Sequence, residues 1–193
     1  MKVERSGSRP TLLARLRCFR RDKDGATAIE FAMVAMPFFF VILATMEVAM
    51  VMWQGEVLET AVARASRKIY TGEFQLAHAA ETNMTTLQTQ LKQSICGDMG
   101  VFLPSSSCTT QLSVDVRTLD TFSSTSTANP IDAADGSYNT TKFGYANVAP
   151  KAVGLLTASF VYNPFFPQLG IGTLPGGRRL IMATAAFKAE PYK

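Results

Sequence analysis

Glu30 is a carboxylate set in a stretch that otherwise carries almost no charge. Residues 26–53 read ATAIEFAMVAMPFFFVILATMEVAMVMW, 28 residues in which only Glu30 and Glu47 are charged. A carboxylate in hydrocarbon costs several kcal/mol unless it is paired. Either Glu30 snorkels to an aqueous interface, or a positive charge comes to meet it. Glu47, about one and a half turns before Trp53, reads as a residue near the far interface.

The other chemistry-bearing residues are few. Cys96 and Cys108 are separated by GDMGVFLPSSS, whose Gly and Pro let the chain double back. A disulfide there would contribute about 2–3 kcal/mol in the chain-entropy picture, the competing reading being two independent thiols. The single histidine, His78, excludes a histidine-rich metal site, opposes a Ser/His/Asp triad and reads as an exposed helical residue. Three cysteines exclude a four-cysteine zinc site. Asp132 and Asp135 beside Gly136 hint at calcium, but a solvated acidic turn is the simpler reading. No P-loop, dinucleotide or nucleophile-elbow pattern occurs. The expectation is no catalytic residue, no metal, no cofactor, and a protein that is not an enzyme.

The elements that position these groups follow from composition and period. With 47% hydrophobic and 18% charged residues, the chain is too apolar for disorder and too poor in Lys and Arg for a nucleic-acid binder. Its 193 residues suit one domain plus an attached segment. Its basic excess is local: residues 1–25 hold eight Lys/Arg and three acids, leaving eleven against twelve for residues 26–193. As a helix, residues 26–53 would extend about 42 Å, enough to span a hydrocarbon core of about 30 Å with tilt. Trp53 then takes an interfacial aromatic position. Six flanking cations (Arg9, Arg15, Arg17, Arg20, Arg21, Lys23) precede the span and three (Arg64, Arg67, Lys68) follow it. The positive-inside rule therefore puts residues 1–25 in the cytoplasm and the remainder beyond the membrane. A cleaved secretory signal fits poorly, because the apolar run is too long and no A-x-A site follows. Cys96 and Cys108 fall on the outer side, where disulfides persist.

Beyond the span, Leu58, Ala61, Val62, Ala65 and Ile69 keep a helical period up to Thr71-Gly72, and the stripe reads as core packing rather than a partner surface. Leu76, Ala80, Met84, Leu87, Leu91 and Ile95 predict a second helical run. Leu112, Val114 and Val116 alternate with polar residues as a half-buried strand, and 152–162 and 179–188 predict two more. The expected fold class is α+β: a long N-terminal transmembrane and amphipathic helix, a second helix and a small antiparallel sheet. The expected organisation is a basic leader at 1–25, a transmembrane helix at 26–53, an amphipathic helical region at 54–95 and a β region with long loops at 96–193. The Pro/Gly loop NPFFPQLGIGTLPGG places Phe165 and Phe166 where exposed rings need cover, a candidate partner contact.

One motif straddles the charge-to-apolar junction. In Asp24-Gly25-Ala26-Thr27-Ala28-Ile29-Glu30-Phe31, a Gly ends the basic arm and a Glu-Phe pair follows five residues later. Three specified residues coincide by chance at roughly one position in several thousand. The arrangement resembles the class III leader of type IV pilins, and GATAIEFAMVAMPFFF, with Pro37 shortly after the Glu-Phe pair, is similar to the start of the TadE-like family of Tad (Flp, tight-adherence) pilus systems. AVARASRKIYTG and the strand running into Glu190-Pro191-Tyr192 fit the same family, although the 25-residue leader is longer than expected of a major Flp pilin. At 193 residues the chain is too long for that very short subunit and too short for the TadG-like proteins.

The resemblance implies cleavage by a prepilin peptidase between Gly25 and Ala26, with the apolar helix left attached. It also implies that Glu30 sets axial register through the α-amine of a neighbouring subunit, with Phe31 beside it. Cys18 would leave with the leader. Pro37 lacks the N–H that would bond the Met33 carbonyl, so a kink or local loosening is expected there, which either lets the helix bend during extraction or serves packing alone. The implied protein is a minor pilin or pseudopilin, anchored in a bacterial inner membrane with its C-terminal domain in the periplasm and able to enter the extracellular pilus. Its implied partners are the prepilin peptidase, other Tad pilins and pseudopilins, the inner-membrane assembly machinery and membrane lipid, with no nucleic acid. The alternative is an uncleaved single-pass scaffold of the pilus or secretion apparatus. In a bacterial setting the sequons at Asn83 and Asn139 carry little weight.

Overall fold

The computed structural model describes residues 25–100, 105–122 and 129–191. The basic arm 1–24 with Cys18, the centre of the Ser/Thr-rich loop, and Tyr192 lie outside the described residues. The chain divides into two compact units, 1–43 and 44–193. Helix α1 (Ala26–Tyr70, 45 residues) contributes to both.

In the first unit, α1 has no sheltered stripe. Ile29, Phe31, Met33, Val34, Met36, Phe38 and Phe39 are all more than half exposed. A helix apolar all round with nothing packed on it calls for a non-aqueous surrounding, and its length and composition suffice to cross a membrane. In the second unit the same helix buries one face, through Val51, Leu58, Ala61, Val62, Ala65 and Ile69. It stops at Thr71-Gly72, where Gly72 takes φ +79° and its N–H bonds the Ile69 carbonyl at 3.1 Å. A residue without Cβ enters that left-handed conformation at no steric cost. Arg67 and Lys68 in the last turn complement the helix dipole.

The second helical period is interrupted. Instead of one run there are α2 (Glu73–Ala77) and α3 (Met84–Asp98). Asn83 causes the restart: its side-chain oxygen accepts the N–H groups of Thr85 (2.9 Å) and Thr86 (3.4 Å), an N-cap that fixes where α3 begins. Leu76 and Met84 are consequently exposed, while Leu87, Leu91 and Ile95 are buried. His78 is not an exposed helical residue. It follows α2 half-buried, with its ring 4.5 Å from that of Phe74 and Nδ1 2.8 Å from the Phe74 carbonyl.

A further helix, α4 (Ser105–Gln111), lies in the region expected to be β and loop. Its Ser/Thr-rich sequence has no apolar period, and the Cys96–Cys108 disulfide ties it to the end of α3, with Cα atoms 5.8 Å apart and both residues fully buried.

The sheet is antiparallel in the order β1 (Ser113–Leu119), β2 (Val153–Tyr162), β3 (Arg179–Lys188). Register places Val114 and Val116 opposite Ala158 and Leu156, and Phe160, Ala158 and Gly154 opposite Ile181, Ala183 and Phe187. This face joins α1 and α3 in one core. Gly154 is required there, because a Cβ would lie 2.6 Å from the Phe187 ring.

The other face of β1–β2 is covered by the following loop. Tyr138 Oη reaches the Ser159 hydroxyl at 3.1 Å. Asp115 is buried, pairs with Arg117 at 2.6 Å and accepts the Gly144 N–H at 2.9 Å. Beyond β3, the Glu190 N–H bonds the Tyr70 carbonyl at 2.7 Å, joining the end of the sheet to the end of α1.

Candidate functional site

Gly25 directly precedes α1. It is exposed, and a Cβ there would meet nothing within 4 Å. Its carbonyl accepts the Ile29 N–H at 3.2 Å, so the helix takes hold from Ala26 onward. Glu30 lies in the second turn, exposed and without a hydrogen-bond partner among the described residues. Phe31 beside it is 72% exposed. The helix runs unbroken through Pro37 despite the missing N–H, as membrane helices tolerate. Ala26, Glu30, Phe31 and Pro37 therefore share the sparsely packed first part of α1, with Gly25 just before it.

Glu47 behaves in the opposite way. It is the first residue on the buried face of α1, 4% exposed, where the period asks for an apolar side chain. The fold supplies what its charge needs. Phe165 N–H donates to Oε1, Phe166 N–H donates to Oε2 at 3.1 Å, and the Tyr162 hydroxyl hydrogen-bonds the same carboxylate. Burial, and then the negative charge of Glu47, push the Tyr162 phenol above its usual range. Sequence reasoning gave Glu47 no such partners. The only signal was a carboxylate in phase with Val51 and Leu58.

The two candidate contact rings differ. Phe165 is 84% exposed, whereas Phe166 is half-buried. Of the other large apolar residues in that loop, Leu169 and Ile171 are half-buried and Leu174 is buried. The loop holds its shape through Arg179 Nη1 donating to Ile171 O at 2.7 Å and through Leu180 N–H donating to Thr173 Oγ1 at 2.9 Å.

The acidic turn is accounted for by local bonds. Asp132 accepts the Ala134 N–H at 3.0 Å and Asp135 the Ser137 N–H at 2.9 Å, and the Ser137 backbone and hydroxyl hold the Asp135 carboxyl below its usual range. Among the described residues no group of three His, Cys, Asp or Glu could hold a metal ion. A concave surface of about 690 Å³ is lined by Arg64, Arg67, Lys68, Glu73 and Asp98. Two of its cations are already engaged, Arg64 with Asp98 at 3.5 Å and Lys68 with Ser94 at 2.9 Å.

Residues 25–67 match the family model described as TadE-like protein. The match starts at Gly25 and takes in Glu30, Phe31, Pro37 and Glu47. No curated protein and no solved structure matches the chain significantly.

Proposed function

We propose that this protein is a minor pilin or pseudopilin of a Tad-type type IV pilus, matured by a prepilin peptidase between Gly25 and Ala26. The observation that carries the reading is the start of α1. The helix begins on the residue that would become the new N-terminus, and the TadE-like match begins one residue before it. Gly25, with open space around it, suits a backbone that must enter a narrow peptidase site.

In the precursor, α1 sits in the inner membrane with the basic arm cytoplasmic and the α+β domain periplasmic. The uncovered apolar surface of the first unit is solvated by lipid before assembly and by the helices of other pilins afterwards. Glu30 has no partner among the described residues, so a neighbouring subunit's α-amine can pair with it and fix axial register. The role is structural, and the chain's own partners are the peptidase, other pilin subunits and the inner-membrane assembly machinery. The domain primes the filament, caps its tip or supports surface adherence.

The test is the intact mass of the membrane-extracted protein, expressed with and without its cognate prepilin peptidase. Loss of residues 1–25 only when the peptidase is present is the expected result, and a bulky residue replacing Gly25 should abolish that loss. An unchanged mass, with the peptidase active on another substrate, would instead identify an uncleaved single-pass scaffold of the apparatus.

A further inference from the structure

We propose that the 163–177 loop is a second membrane contact, with Phe165 entering the boundary between headgroups and acyl chains while Glu47 holds its backbone at that depth. The inference rests on the membrane-spanning reading of α1 and adds to it a lipid-binding element far away in sequence.

The first argument is length. The eighteen residues from Ala26 to Leu43 rise about 27 Å as a helix, close to the thickness of a hydrocarbon core of about 30 Å. Helix α1 therefore leaves the hydrocarbon about one turn beyond Leu43, and Glu47 stands at that level. Because Phe165 and Phe166 donate their backbone N–H groups to Glu47, the loop stands there too.

The second argument is surface chemistry. Apart from Thr45, the exposed side chains of α1 around Glu47 are apolar: Met46 is 62% exposed, Met52 68% and Trp53 52%. Phe165 adds an aromatic ring with almost nothing of its own chain over it. From Asn163 to Gly177 the loop has no charged residue, and Arg178 and Arg179 follow at once. An uncharged, aromatic tip with cations at its base matches a bilayer interface, where aromatic rings settle among headgroups and cations meet lipid phosphate. The lack of any charge along the loop, with two cations directly after it, favours lipid over a protein partner.

The experiment places a single Trp at the loop tip of the full-length chain, Phe165→Trp with Trp53→Phe, in vesicles of phosphatidylethanolamine and phosphatidylglycerol. The acyl chains are brominated either near the headgroup or near the chain terminus. The expected result is a blue-shifted emission that loses most of its intensity with shallow bromines and little with deep ones. Phe39→Trp in the same background reports on the span itself, and there deep bromines should quench. Deep quenching at position 39 with a water-like, unquenched signal at 165 overturns the inference and leaves the span standing. Absence of quenching at both positions overturns the spanning reading as well. A signal at 165 that becomes shielded only when other pilin subunits are added also overturns the inference, assigning the loop to a protein contact.

Discussion

Glu47 shows how one side chain can join two distant parts of a chain. It lies on the core face of α1, and in place of an apolar contact it receives two backbone N–H groups and a phenol. Removing one partner from a buried hydrogen-bonded set costs about 1–3 kcal/mol, because the abandoned groups keep their desolvation penalty. Glu47→Ala should therefore lower the unfolding free energy by about that amount, read from the urea midpoint in detergent micelles, whereas Glu47→Gln, which keeps an acceptor, should cost less. The pH dependence lies on the alkaline side. The phenol of Tyr162 titrates higher in the fold than in the unfolded chain, so its contribution is fully present below the ordinary tyrosine value of about 10. It is lost as pH rises through the raised folded value. Stability followed above neutrality should thus hold and then fall at high pH, and Tyr162→Phe should flatten that fall.

At the scale of elements, the disulfide is the staple that makes α4 possible. A seven-residue helix of Ser, Thr, Cys and Gln has too few turns and too little apolar surface to persist unaided. Reduction, or Cys108→Ser, should destabilise the domain by about 2–3 kcal/mol, measured by thermal unfolding with and without reductant, with α4 the first segment to lose amide protection. The same element marks where sequence legibility ends. The three strands were legible to within a residue or two, because alternation at 112–117 and apolar runs at 152–162 and 179–188 report directly on the pleat. The late part of α1 was legible from its 3.6-residue stripe. The break at 78–83 was not, since Leu76 and Met84 continue the apolar period by accident while Asn83 decides the boundary through its side chain. Helix α4 left no periodic trace because a covalent bond, not an apolar face, holds it. At the site, Gly25 and Glu30 stood out by their setting at a charge-to-apolar junction. Glu47 did not, because its partners come from a loop more than one hundred residues later.

For the whole molecule, the first two of the four carboxylates on α1, Glu30 and Glu47, divide the labour between assembly and folding on the proposed reading. Glu47 is satisfied within its own chain, and Glu30 has no internal partner among the described residues. On the proposed reading, Glu30→Gln should leave stability and Gly25 processing unchanged while sharply reducing incorporation into filaments, scored by pilus counts beside intact mass. Normal piliation by that variant would remove Glu30 from assembly.

On the proposed reading, the hydrogen bond from the Glu190 N–H to the Tyr70 carbonyl implies an order of events during biogenesis. Helix α1 would then enter the bilayer early in synthesis, whereas its Tyr70 carbonyl would acquire this partner only after β3 has crossed the membrane and paired. Until then the outer domain is an unfinished sheet tethered to a finished anchor. Closing so long a segment is a slow, non-local step. A nascent subunit stalled before β3, at residue 179, would stay open at the sheet and accessible to periplasmic proteases. Completion of the domain would thereby signal that export has run its course before a subunit is offered to a filament.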